Sequence, residues 1–291
     1  MPNHVTNIIE IKAEPSRIKD ILAAIQDDEK GIGSIDFNKL RPMPKSIEDV
    51  EVGDTTDRAI NLYLTYINPM VDYFGPQIDL TSVDSIVHFQ KHTISGNEFA
   101  KIYNRFNEEV RFYRFNGALS PHEVKENVER ILGVNGQNIK SLEDIIAYGE
   151  SLYKNIQEHG NMNWYNWAVK HWGTKWNAYQ FGGYEDGSNK ITFMTAWSAP
   201  RPAMKTFSEK FPDVEFSHSW ADDDLGHNVG MAAYKAGEIV SEHEPEGGSA
   251  EAYEMAAEIH GESLESRGLY KTPDGRSYEY REEEDSEDLE V

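Results

Sequence analysis

Four of the chain's six tryptophans fall within thirteen residues, Trp164 to Trp176, and one glycine divides that stretch in two. Trp164, Trp167, Ala168 and His171 recur at i, i+3, i+4 and i+7, a spacing that predicts one face of a helix. Gly173 supplies the left-handed residue that commonly ends a helix. From Thr174 to Phe181 the residues are β-branched and aromatic, with no turn signal before Gly182-Gly183, so the second half predicts a strand. An indole buries about 150–250 Å². A helix that stops on glycine and feeds an aromatic strand therefore predicts a structural seam between two halves of the fold. Its residues are Trp164, Trp167, Trp172, Gly173 and Trp176.

On the N-terminal side, Val5 to Ile11 predicts a strand, and Pro15-Ser16 opens a helix with Ile18, Ile21, Leu22 and Ile25 along one face. Ser34 to Leu40 reads as a second strand, which makes a β-α-β start. From Ser46 to Lys170 the periodicity turns helical, with about five helices. One is apolar and tyrosine-rich from Ala59, and Asn68-Pro69 kinks or ends it. Another runs from Asn97 to Phe115. Ser120-Pro121-His122-Glu123 has the capping-box pattern, and Ser141 opens a further helix with Ile145, Tyr148, Leu152 and Ile156 inward.

Beyond the tryptophans, Lys175–Phe181 and Lys190–Trp197 predict a hairpin. A helix follows with Met204, Phe207 and Phe211 on one face, and then strands at Val214–Trp220, Asn228–Tyr234 and Glu238–Glu242. The expected class is α+β. Residues 1–45 and 172–242 form a discontinuous ferredoxin-like antiparallel sheet with two helices, residues 46–171 a large helical insertion, and residues 243–291 an acidic C-terminal extension.

Charge narrows the function. With 51 acidic and 28 basic residues the formal net charge is −23, a field that repels nucleic acid and anionic membranes. Between His243 and Val291 sixteen acidic residues face four basic ones, a net of −12, about half of the total. That segment predicts a helix at Ser249–Glu262, a small hairpin around Pro273-Asp274-Gly275 and an acidic run from Glu282. Its aromatic anchors Tyr253, Tyr270, Tyr278 and Tyr280, with Glu282, Glu283, Glu284, Asp285, Glu287 and Asp288, are the candidate partner-binding residues. They are expected to dock on a second copy or on a target with a basic surface. There is no cysteine, which excludes disulfides and thiolate metal sites. The N-terminus lacks the pattern of a signal peptide, and no apolar run approaches a membrane span. The expectation is a cytoplasmic, homo-oligomeric protein with no cofactor.

Chemical motifs are sparse. His218 and His227 bracket Asp222-Asp223-Asp224, a set that could hold a metal or serve acid-base chemistry, or form a polar turn. His88 and His92 are four apart, a zinc spacing, in a stretch that reads as a strand. His4, beside Asn3 and Asn7, is a functional candidate or an edge hydrogen-bonding group. No phosphate loop and no nucleophile elbow is present. The seam aromatics could stack bases, although such sheets carry basic residues beside them.

Met1 to Asn7, Trp164 and Trp167, the Trp172–Ala178 element WGTKWNA, and Trp197 to Pro200 together resemble the YubB-type ferredoxin-like family of phage and plasmid proteins. The resemblance covers roughly residues 1–45 and 160–240. It implies the fold and a mobile-element origin and carries no catalytic residues. The reading it favours is a non-enzymatic protein of the host cytoplasm that binds and inhibits a host protein, such as a defence nuclease complex. The alternatives are a nucleic-acid-binding module and a metal-dependent enzyme built on the His218–His227 region.

Overall fold

A computed structural model describes residues 3–67, 119–134 and 139–281. The chain divides into two compact units, one of residues 1–42 and 168–291 and the other of residues 43–167. The first unit opens with β1 (His4–Lys12) and α1 (Pro15–Ile25), which buries Ile18, Ile21, Leu22 and Ile25. The strand expected at Ser34–Leu40 is instead a short helix, α2 (Phe37–Leu40). Asp36 explains the difference, because its carboxylate caps the helix by accepting from the Asn38 amide at 2.9 Å.

β1 lies inside a five-stranded antiparallel sheet with β2 (Lys190–Ala196), β3 (Glu215–Asp222), β4 (Gly230–Lys235) and β5 (Glu238–His243), in the order β2-β1-β3-β4-β5. Its register, with Asn7 opposite Phe193 on one side and Trp220 on the other, puts Val5, Asn7, Ile9 and Ile11 on one buried face. The strand expected at Lys175–Phe181 shrinks to a single bridge, Tyr179 with Met194. Side chains take over its backbone groups. Asn177 Oδ1 accepts from the amides of Ala178 and Phe37, and Thr174 Oγ1 donates to the Ala196 carbonyl at 2.9 Å.

The second unit is helical, as its periodicity predicts. It contains α3 (Lys45–Glu48), α4 (Asp54–Ile67), α5 (Pro121–Leu132) and α6 (Leu142–His159), and α7 (Trp164–His171) runs across the division into the first unit. Both expected caps form: Ser120 with Glu123, and Ser141 with Asp144, each as a reciprocal capping box. Ile60, Leu64, Val124, Ile131, Ile145 and Leu152 share one core. The Asn155 amide donates to the carbonyls of Ser46 and Met162, which brings the two ends of the unit together. The expected helix at Asn97–Phe115, Asn68-Pro69 and the His88–His92 pair lie outside the described residues.

Back in the first unit, α8 (Arg201–Lys210) packs Met204 and Phe207 against the sheet, with Phe207 centred 4.5 Å from Phe216. The acidic segment is not separate from the sheet. α9 (Ala250–His260) buries Ala252 and Ala256 against Ala221 and Val229, and His260 Nε2 meets the Asp222 carbonyl at 3.1 Å. A small hairpin, β6 (Leu269–Lys271) with β7 (Tyr278–Tyr280), completes the unit and buries Leu269 beside Leu264. Among the described residues no helix is long and apolar enough to cross a membrane.

A buried polar relay runs through the sheet. Asn7 Nδ2 donates to the Val5 carbonyl and to Thr195 Oγ1, and Thr195 Oγ1 donates to the Ser198 carbonyl at 2.8 Å. Asn7 Oδ1 therefore faces His218 Nε2, 2.9 Å away, so Nε2 carries the imidazole proton. Nδ1 has no partner and is enclosed. Burial, reinforced by the charge of Arg201, pushes the His218 pKa down to about 3. A free imidazole titrates near 6.5, so between pH 6.5 and 3 the unfolded chain binds a proton that the folded chain refuses. The resulting stability is fully present above pH 6.5 and drains as pH falls toward 3. Denaturant melts at pH 7 and pH 4 should show a steeper loss in wild type than in His218→Gln.

Gly149 on α6 approaches α4 so closely that a Cβ there would lie 2.6 Å from the Ala59 carbonyl oxygen. Gly149→Val is expected to cost the helical unit about 1–3 kcal/mol, read as a lower thermal midpoint.

Candidate interaction site

The first residues, the WGTKWNAY element and the Asp222–Asn228 turn converge at one end of the sheet. Asp222 is almost fully buried, and its carboxylate accepts from Asn3 Nδ2 at 3.1 Å, the Asp224 amide at 3.0 Å and Asn228 Nδ2 at 2.8 Å. Its oxygens are thus committed to shaping the turn. His4 pairs with Asp223 through both backbone groups: its amide donates to the Asp223 carboxylate, and its carbonyl accepts from the Asp223 amide. His4 Nδ1 lies 2.6 Å from the Tyr179 hydroxyl, with the rings edge to face. Burial, then the charge of Asp223, raises the Tyr179 pKa, so this phenol stays protonated at neutral pH.

The two histidines of the metal reading stand in different surroundings. His218 sits within the relay under the helices, whereas His227 is exposed, and no three metal-ligating side chains cluster among the described residues. The polar-turn alternative describes Asp222–Asn228: the Asp222 side chain takes the Asp224 amide, and the His227 amide returns to the Asp224 carbonyl at 3.0 Å.

The five seam residues separate into two groups. Trp172 is buried, stacks obliquely on Phe37 at 6.0 Å and donates from Nε1 to the Arg41 carbonyl at 3.0 Å. Gly173 has φ 85°, and a Cβ there would lie 2.4 Å from Pro202 Cδ. Both are structural. Trp167 is buried too, and Trp164 is half-buried beside Tyr165. Trp176 departs from the expectation, because it is 36% exposed. The loss of the expected strand turns its indole outward, where it leans on Tyr179 at 6.3 Å.

Trp197, 44% exposed, joins it from the other side of the same end. Lys175 places its ammonium 4.8 Å from the Trp176 ring centre and 4.4 Å from the Trp197 ring centre. Trp197 also holds φ at 70°, a conformation that a bulky residue rarely takes. Sequence reasoning placed Trp197 among the family residues without seeing this, since a left-handed tryptophan has no compositional signal.

The expected partner-binding tyrosines mostly face inward. Tyr253 packs over Gly226 and against Tyr278, 5.6 Å between centres. Tyr278 donates to Glu254, and Tyr270 lies under the Arg281 guanidinium. Of the four only Tyr280, 76% exposed, presents its ring to solvent. Glu282, Glu283, Glu284, Asp285, Glu287 and Asp288 lie outside the described residues.

Residues 171–262 match the family model of a ferredoxin-like domain in Api92-like protein. The fold is ferredoxin-like. The match runs through α9, which the sequence reading had assigned to the extension, and this agrees with the packing of α9 on the sheet. A crystal structure of the protein api92 from Yersinia pseudotuberculosis is similar over 84% of this chain and 99% of that one, at 11% identity and a TM-score of 0.33. No curated protein matches the chain.

The ferredoxin-like domain thus carries two buried tryptophans, Trp172 and Trp220, and two that look outward, Trp176 and Trp197. Trp172→Ala should cost about 3–5 kcal/mol, as for a large buried aromatic. Trp176→Ala should leave the thermal midpoint within about a degree or two of wild type, because a half-solvated ring contributes little packing. Equal losses in both variants would return Trp176 to the structural group.

Proposed function

We propose that this chain is a non-catalytic interaction protein whose acidic surface engages the basic face of a host protein and inhibits it. The carrying observation is how its positive charges are used. On the sheet Lys12 is paired with Glu215 at 2.7 Å and Lys190 with Glu10 at 3.3 Å. Around it Arg17 grips Asp213, Arg201 grips Glu242 and Glu244, Arg267 grips Glu262, and Lys271 grips Glu254. A nucleic-acid phosphate approaching any of these cations would have to displace a carboxylate. The remaining charge, −23 in total, favours a cationic partner and speeds encounter with it.

Basic faces of this kind belong to proteins that handle nucleic acid, so a nuclease complex of the host cytoplasm is the natural target. The resemblance to YubB-type proteins of phages and plasmids supports that setting. Affinity purification from host cells with mass spectrometry, followed by nuclease assays on the recovered complex, tests the reading. The expected result is a stoichiometric nuclease or helicase whose activity falls on adding this chain, with affinity that weakens as salt rises. Binding of a single-stranded oligonucleotide at low salt, with no protein recovered, would replace it with the nucleic-acid-binding alternative.

A further inference from the structure

We propose that Trp176 and Trp197 form an aromatic cage for a lysine or arginine side chain of a basic protein partner, and that Lys175 fills this cage in the free protein. This inference rests on the basic-partner reading above and adds the place and chemistry of contact. An indole face attracts an ammonium or guanidinium held within about 6 Å of its centre. Lys175 meets that condition on two indoles at once. The chain's own ammonium therefore marks where a cation is stabilised, and both rings remain open enough for another to reach them.

Backbone strain points the same way. A tryptophan at φ 70° persists only where its surroundings over-determine it. Here the Trp197 amide donates to the Asn3 carbonyl at 3.0 Å, and its carbonyl accepts from Asn228 Nδ2 at 3.2 Å. The next residue is fixed as well, with Ser198 Oγ donating to the Gly173 carbonyl at 2.6 Å. This framework holds an unfavourable conformation and leaves the indole half in water, so packing alone does not account for it. A carboxylate stands nearby: Asp223 is close enough to Tyr179, which leans on Trp176, to raise the phenol's pKa. Aromatic faces with an anion beside them suit a basic side chain, and the charge of the whole chain would bring one in.

The test titrates a hexalysine peptide into the full chain at low salt, following heat and indole fluorescence. Lys175→Met empties the cage while keeping the length of the side chain. Lys205→Met, on the exposed side of α8, removes the same charge elsewhere and serves as the control. Lys175→Met is expected to bind the peptide about fivefold more tightly than Lys205→Met, the scale of one cation–π contact. Trp176→Ala and Trp197→Ala should each bind about fivefold more weakly than wild type, and Trp197→Tyr should recover most of the loss. Equal thermal midpoints of Lys175→Met and Lys205→Met are checked alongside, so that their comparison stays decisive if a tryptophan variant is unstable. If all variants bind alike, the cage is wrong and the acidic-surface reading stands. If the peptide binds no form of the protein, both readings fall together.

Discussion

The relay from His218 through Asn7 and Thr195 to Ser198 is the constraint on which the sheet and its outward tryptophans both depend. It is buried, so each polar atom must find a partner inside the protein or cost stability. Asn7 satisfies three neighbours at once, on its own strand and on the strands to either side. That fixes the register of β1 against both of its neighbours and, through the Ser198 carbonyl, the end of the β2 strand where the chain turns through Trp197. The neutral imidazole is part of the arrangement: a second proton on His218 would place an unpaired donor among Trp220 and Tyr234. The same bonds that align the strands therefore hold the exposed indole in its strained position.

Around this rigid end the electrostatics run one way. Exposed ion pairs contribute little to stability individually, and their larger effect here is to silence the cations. The charge left in excess is negative, and Lys175 holds its ammonium over two indoles. In the proposed function this combination would meet a partner that brings its own cations and an aliphatic stem to lay against the rings.

Much of the architecture was legible in the sequence. The capping box at Ser120, the helix start at Ser141, the apolar stripe of α1 and the alternation of β1 all appear where local chemistry predicts, because each rests on neighbours within four residues. The misreadings share a cause. Asp36 caps its own helix while Asn177 takes the Phe37 amide from across the fold, and Asn177 Nδ2 donates to the Asp36 carboxylate at 2.6 Å. That contact turns two expected strands into a helix and an irregular segment, and it depends on residues 141 positions apart. The tyrosines of the acidic segment find Tyr278, Glu254 and Arg281 as neighbours within that segment, contacts that no local spacing announces. For the candidate site, the sequence flagged Trp176 and Trp197 as notable residues, but their exposure and the ammonium between them come from tertiary placement alone.

The position of β1 has a consequence for how the molecule is made. It precedes the other strands in the chain and lies between β2 and β3, yet the Asn7 amide finds Thr195 across 188 positions and His218 across 211. At about 5–20 residues per second, this strand waits on the order of ten seconds or more on the ribosome before its neighbours emerge. Contacts so distant along the chain are slow to close. The helical unit emerges in the interval and can assemble its own core, with Asn155 drawing Ser46 and Met162 together. Once folded, it turns a long flexible loop into a short tether. A shorter tether lowers the entropic cost of bringing together the strands that the insertion separates in sequence.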